Sequence, residues 1–248
     1  VMYPKLNKPL LEVWKNGKET PAIGNLGGGS DHIAFYMHVG VPSLSGGTGG
    51  PTQYHSNYDS FTFYEKFVDP DFAMGPMVAQ VAGLMALELA DKKFVPYDVK
   101  RYAADLKGHF ANAAADVKKL DAGFSGFPKV EDALKALETS AANLNEALMA
   151  AEAKPLSKKQ VTQINKELIA LEKSFIVDEG MPYGSWYKSL YASSDPFSGY
   201  ASWILPGIQY QIETNNLGSL PEWDTIYTEA INKLSDKMNK LNGQVTSF

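Results

Sequence analysis

The side chains that could do chemistry are few and widely spaced. The chain has four histidines, His32, His38, His55 and His109, and none forms an H-E-x-x-H pair or another short metal-ligand spacing. His32 and His38 stand six apart, which turns them to different sides of a helix. His109 falls in an alanine-rich amphipathic stretch that leaves it partly exposed. His55 is set apart in Gln53-Tyr54-His55-Ser56-Asn57-Tyr58-Asp59, directly after a glycine-rich loop. There is no cysteine, so disulfides, thiol catalysis, zinc knuckles and iron–sulfur clusters are excluded together. No Gly-x-Ser-x-Gly elbow is present. The carboxylate pairs Glu131-Asp132 and Asp178-Glu179 fall at expected helix ends, where they suit the helix dipole. The run Gly27-Gly28-Gly29-Ser30-Asp31 lacks the Gly-Lys-Ser/Thr of a phosphate loop and the third glycine of a dinucleotide fingerprint. It reads as a tight turn into a helix capped by Ser30 or Asp31, or as backbone that a ligand can approach closely beside a helix N-terminus.

The elements that must position these residues change character near residue 96. Residues 1–30 are punctuated by Pro4, Pro9, Gly17, Pro21 and Gly24, as expected of loops and short strands. A short helix is expected over 33–39, a buried strand over 40–44 and a helix from Asp69-Pro70 to about Ala90. The apolar stretch 72–90 is interrupted by Pro76, Gln80, Gly83 and Glu88, which favours a buried helix over a membrane span. Beyond residue 96 the pattern is helical. Asp98 can cap a helix to Leu120. Leu134, Leu137, Ala141, Leu144 and Leu148 form one stripe, and Val161, Ile164, Leu168, Leu171 and Phe175 another. A last stripe runs from Tyr227 to Val245. Ser157 with Gln160 and Ser219 with Glu222 have capping-box spacing. Short loops between such helices suggest an antiparallel bundle. The segment 177–216 breaks the pattern with Trp186, Tyr187, Tyr191, Tyr200, Trp203 and Tyr210. These aromatics read as an interface, a pocket wall or a cover for the bundle.

A net charge of -5 offers no basic stripe, so nucleic acid is not expected as a partner. The start Val1-Met2-Tyr3-Pro4 shows no signal peptide and reads as part of a longer chain.

Several segments, in order, resemble the C-terminal portion of the glutamate carboxypeptidase and transferrin-receptor-like family of di-zinc exopeptidases. They are Leu26-Gly27-Gly28-Gly29-Ser30-Asp31, His38-Val39-Gly40-Val41-Pro42-Ser43, Tyr54-His55-Ser56-Asn57-Tyr58-Asp59, Phe67-Val68-Asp69-Pro70 and Val78-Ala79-Gln80-Val81. Leu171-Glu172-Lys173-Ser174-Phe175, Gly199-Tyr200 and Pro206-Gly207-Ile208 complete the set. The resemblance implies an α/β region followed by an all-α one. Residues 1–95 would be the C-terminal part of the zinc-exopeptidase α/β sandwich, and 96–248 a helical-bundle dimerisation domain. It implies that His55 is one ligand of a two-zinc site and that Tyr54 steadies the oxyanion and the substrate carboxylate. Tyr200 would grip the substrate's C-terminal carboxylate, with Gly29 and Ser30 beside the residue on the N-terminal side of the scissile bond.

The other ligands and the general-base glutamate come, in the family, from segments before those matched here. The expectation is therefore peptide hydrolysis by a metal-activated water in a complete enzyme, with this chain inactive alone. It would work as a homodimer, with a separate N-terminal chain as a further possible partner. The alternative is a non-catalytic, transferrin-receptor-like dimerisation module. The family leaves open whether the parent is secreted or membrane-anchored. Ser43-Leu44-Ser45-Gly46-Gly47 stands where glutamate-specific members carry an arginine patch, and Gly199 where they carry lysine before the tyrosine, so an apolar or broad preference is expected.

Overall fold

The computed structural model describes residues 1–26 and 28–248; Gly27, the first glycine of the run, lies outside the described residues. The chain divides into two compact units, one of Val1–Asn25 with Leu44–Lys92 and one of Leu26–Ser43 with Lys93–Phe248.

In the first unit, strands β1 (Met2–Tyr3) and β2 (Lys8–Pro9) pair antiparallel, with Met2 opposite Pro9. Helix α1 (Leu10–Lys15) ends at Asn16, whose left-handed backbone (φ 46) closes the last turn. Ser60 caps α2 (Phe61–Phe63), accepting the Phe63 N–H at 3.3 Å, and the chain continues as a π-helical turn, Tyr64–Val68. The main helix, α3 (Met74–Asp91), begins later than the Asp69-Pro70 signal suggests. Asp69 still caps it, but from a distance in sequence. Its carboxylate is 3% exposed and accepts the N–H groups of Ala73 (3.0 Å), Met74 (3.0 Å) and Gly75 (3.4 Å), and the Tyr64 hydroxyl (3.1 Å). Desolvation pushes this carboxyl up, but the four hydrogen bonds together outweigh it and hold its pKa below the usual carboxylate range. The intervening turn, with Phe72 at φ 50, takes up the extra residues.

Two expectations differ here. The strand over 40–44 does not form: Gly40 (φ 70) ends a π-helix, and residues 40–53 carry no regular structure. Nor is α3 a buried helix. Only Met74 and Met77 are buried, while Leu84, Met85, Leu87 and Leu89 are exposed. Its sequence is apolar on every side and so needs covering on several faces, which the described elements of its unit do not provide. No described helix is long and apolar enough to cross a membrane.

The second unit is built on two long helices, α5 (Pro128–Glu152) and α8 (Leu220–Ser247), with α4 (Arg101–Leu120) and α6 (Lys158–Ile169) beside them. Val130, Leu137, Ala141, Leu144 and Ala151 of α5 are buried in one core with Tyr227, Ile231, Leu234, Met238 and Val245 of α8. Each buried Leu or Ile contributes about 1.5–3 kcal/mol. The antiparallel expectation rests on short loops, and no short loop joins α5 to α8. Asp224, in the first turns of α8, accepts the backbone N–H groups of Lys129 (3.3 Å) and Val130 (3.1 Å) at the start of α5. Both helices therefore begin at the same end and run side by side. The long connection 153–219 removes the short-loop constraint that would have forced them antiparallel, and a carboxylate at a helix N-terminus is favourably placed.

The capping box at Ser157 and Gln160 forms as read. The one expected at Ser219 does not. Its hydroxyl is bonded by the Asn216 amide (3.2 Å), and Pro221 opens the helix. The stripe 161–175 is also not one helix, because α6 ends at Ile169 and Glu172–Phe175 is a 3-10 turn. Lys93 fastens the segment entering this unit by donating to the carbonyls of Ala151 (2.7 Å), Glu152 (3.1 Å) and Lys154 (2.6 Å) at the C-terminal end of α5. Asn165 adds bonds to the Val95 N–H (2.9 Å) and the Lys93 carbonyl (3.0 Å).

Candidate functional site

Within the aromatic segment the chain makes a hairpin, β3 (Ala192–Ser194) against β4 (Ser202–Ile204), and then helix α7 (Pro206–Glu213). The hairpin loop is closed by its own backbone. Asp195 N–H donates to the Ala201 carbonyl (2.8 Å) and Gly199 N–H to the Asp195 carbonyl (2.7 Å). The Asp195 carboxylate accepts the Phe197 N–H (2.8 Å), and the Ser198 hydroxyl accepts the Ala201 N–H (3.2 Å). Gly199 sits at φ 76, a conformation that costs a side-chain-bearing residue about 1 kcal/mol or more. These Asp, Pro, Ser and Gly positions are turn chemistry. They hold Tyr200 out at the loop's end, 58% exposed.

The glycine run lies along this hairpin. The Ser194 hydroxyl donates to the Gly28 carbonyl (3.0 Å) and the Ser202 hydroxyl to the Leu26 carbonyl (2.9 Å). A Cβ on Gly28 would meet the Ala201 carbonyl at 2.7 Å, and one on Gly29 would meet the Tyr200 ring at the same distance. The glycines are thus required by close approach, one to a strand end and one to an aromatic face. Below them is a π-helical turn, Ala34–Val39. Its fully buried Met37 receives the Ser194 N–H on sulfur (3.2 Å), and its carbonyl accepts the N–H groups of Lys188 (3.0 Å) and Ser189 (2.9 Å). His38 stacks on Trp186, with Nδ1 at 2.7 Å from the Trp186 carbonyl.

The expected cap from Ser30 or Asp31 gives way to a backbone bond, Ile33 N–H to the Ser30 carbonyl (3.2 Å). Gly29 and Tyr200 are therefore brought together, with Ser30 next in chain. Tyr54 and His55 belong to the first unit. They sit in consecutive turns in which the Ser56 N–H and hydroxyl both donate to the Gln53 carbonyl (3.0 and 2.7 Å). The Tyr54 and His55 rings stack with centroids 3.7 Å apart, and both side chains are exposed. His55 is held at φ 59, in the left-handed region. Asn7, Asn16, Phe72, Leu205 and Asn215 share this left-handed backbone, as turn and helix-end positions do.

The second unit also carries an ionisable cluster that sequence reading passed over. The Tyr102 hydroxyl donates to Glu172 at 2.5 Å, pinning the Leu171–Phe175 segment to α4. Burial pushes the Glu172 carboxyl above its ordinary range, and the bond from Tyr102 only partly offsets it. Burial and this carboxylate together raise Tyr36 and Tyr97 as well. His109 packs edge-on against Tyr191, and burial lowers its pKa. Among the described residues, no three of His, Asp and Glu converge as a metal site would require.

Residues 125–239 match the transferrin receptor-like dimerisation domain. Over 221 residues the chain is 32% identical to the probable glutamate carboxypeptidase LAMP1 of Arabidopsis thaliana, an alignment covering 88% of this chain and 31% of that protein. It is 28% identical over 218 residues to a probable glutamate carboxypeptidase of Arthroderma benhamiae, covering 84% and 29%. It is 30% identical over 199 residues to the aminopeptidase NAALADL1 of Mus musculus, covering 73% and 26%. The chain spans less than a third of the length of these relatives. By the matched domain and these relatives together, the chain belongs to the transferrin-receptor-like glutamate carboxypeptidase family.

Proposed function

We propose that this chain is part of a peptide-hydrolysing exopeptidase to which it supplies a substrate-carboxylate subsite and a self-associating helical unit. The observation that carries the reading is Tyr200, held at the end of a hydrogen-bonded loop with its ring against the bare backbone of Gly29. A phenol hydroxyl on a rigid loop is a suitable donor to a peptide carboxylate, and glycine leaves room for the substrate main chain beside it. Gly29 and Ser30 then flank the residue on the N-terminal side of the scissile bond. In the first unit, Tyr54 takes the role of donor to the oxyanion and His55 that of a single metal ligand.

The residues of this chain do not fit a zinc centre by themselves. One exposed imidazole is far short of the three or four donors a zinc site needs, and no acidic or histidine cluster accompanies it among the described residues. No step of hydrolysis is therefore assigned to a metal held by this chain. A two-zinc site, if it operates, draws its remaining donors from polypeptide beyond these 248 residues, and the chain alone is inactive. Residues 1–95 would belong to the peptidase α/β sandwich and 96–248 to the helical domain, through which two copies associate. The relatives' printed names, carboxypeptidase and aminopeptidase, support the reaction class.

A non-catalytic dimerisation module is the second reading, favoured by the fact that the matched domain is the dimerisation domain. The two separate on one variant. In the longest natural polypeptide containing this chain, Tyr200→Phe should raise KM for short peptides about tenfold or more, with kcat changed less. Peptide turnover with an unchanged KM would remove Tyr200 from the site, and absence of turnover in the unaltered protein would favour the module.

A further inference from the structure

The hairpin loop beside Tyr200 carries a second exposed side chain, Phe197, which is 67% accessible. It is not a stray residue. Its N–H is fixed by the Asp195 carboxylate at 2.8 Å, and its ring lies edge-on to Trp203 and stacked with Tyr210, at 5.8 and 6.4 Å. Those two rings meet Tyr183 in turn, so the exposed face of Phe197 is the end of an aromatic cluster. Phe197 and Tyr200 stand three apart on the loop that forms this rim, whose ends are joined by the Asp195–Ala201 hydrogen bond.

Charge in the surrounding sequence is one-sided. The chain carries 23 Lys and Arg residues, yet none lies between Lys18 and Lys66 or between Lys188 and Lys233. Those intervals contain both stretches that build this rim, the glycine run with its π-helical turn and the hairpin with α7. Lys188, which borders the second interval, faces Asp178 at 3.7 Å. Carboxylates are not excluded in the same way: Asp31 and Asp195 both belong to the rim segments. Asp195 is held ionised: although burial pushes its carboxyl up, the bonds from Phe197 and Ser198 outweigh this and set its pKa below the usual range.

On the reading that Tyr200 holds a substrate carboxylate, we propose that Phe197 selects the substrate residue at this rim, favouring an apolar or aromatic side chain over an acidic one. An acidic side chain placed there would lose water, meet an aromatic face and find no lysine or arginine in the two stretches that build the rim to compensate it. An apolar side chain would gain contact with the Phe197 ring instead. This preference runs against the word glutamate in the names of two relatives, and it assigns to Phe197 the apolar preference expected above.

The test uses the longest natural polypeptide that contains this chain. Dipeptides ending in Leu, Phe or Glu are compared by kcat/KM, each with a free and with an acetylated amino end. The Leu and Phe substrates should exceed the Glu substrate at least tenfold. Phe197→Lys, at an exposed position that should not disturb folding, should shift that ratio at least tenfold toward Glu, and Phe197→Ala should lower the Leu and Phe rates without raising Glu. A wild-type preference for Glu, or a ratio unmoved by Phe197→Lys, overturns the proposal while leaving the peptidase reading intact. Hydrolysis of none of the dipeptides overturns both.

Discussion

Helices α3 and α5 show how differently two apolar sequences can be used. The sequence of α3, MGPMVAQVAGLMALELAD, is the more apolar of the two, yet only two of its side chains, Met74 and Met77, are buried. In α5 the apolar residues are diluted with Lys, Glu, Asn and Thr, yet a continuous stripe from Val130 to Ala151 is buried. The difference is pattern rather than content. A one-sided stripe needs one partner, and α8 supplies it with a matching stripe of its own. A helix that is apolar all round needs covering on several sides, and the described elements of its unit are too short to do that. Such a surface, in a chain whose match covers 31% of a longer relative, is the kind that larger proteins bury.

The sharpest way to break this comparison is a matched pair of truncations. Leu137→Ala, at a position with no solvent exposure, should cost about 2–5 kcal/mol in denaturant unfolding of the 248-residue chain. Leu87→Ala in α3, where the side chain is 68% exposed, should cost less than about 0.5 kcal/mol. Similar losses at the two sites would mean that α3 has a partner not described above.

A smaller effect is expected at Gly207, early in α7. A Cβ there would fall against the Trp223 ring, and the Gly207 N–H is bonded to the Tyr227 hydroxyl at 3.2 Å. Gly207→Ala should destabilise by about 1–3 kcal/mol despite alanine's better helix propensity. An unchanged or higher stability would show that α7 can move off α8 freely.

The smallest effect is a pH-dependent one at Glu172. Its folded-state pKa is raised, so the folded protein holds this proton more tightly, and the residue works against stability as pH rises above the ordinary carboxylate range. Glu172→Gln keeps an acceptor for Tyr102 and removes the buried charge. The variant should therefore equal or exceed the wild type near pH 7, and the difference should vanish on acidification below the usual carboxylate range. A variant less stable at pH 7 than at pH 4, relative to wild type, would contradict that sign.

How much was legible in the sequence follows the same divide. The stripes at Leu134 to Leu148 and Tyr227 to Val245 were readable because helical period and burial agree there. The relative direction of α5 and α8 was not. It depends on Asp224 reaching the start of α5, a contact between residues almost a hundred positions apart. Local signals misled where tertiary contacts took over. Ser219 has capping-box spacing but is engaged by Asn216, and Asp69 caps a helix that starts at Met74 rather than Pro70. At the candidate site, the glycine run and Tyr200 were each visible as motifs, but their meeting was not, because Gly29 and Tyr200 are far apart in sequence. Phe197 carried no motif at all. The turn residues around it, Asp195, Pro196 and Gly199, were the only local signal.

The central claim is that this chain serves a peptidase, with His55 a metal ligand of the complete enzyme. The most direct test is to purify the longest natural polypeptide containing it, unaltered and as His55→Ala, and to measure bound zinc, peptide turnover and sedimentation on the same samples. The expected result is zinc and turnover in the unaltered protein, both lost or sharply reduced in the variant, with the associated state unchanged. Zinc content and turnover that survive His55→Ala would contradict the ligand assignment, and an unaltered protein with neither would contradict the peptidase reading itself.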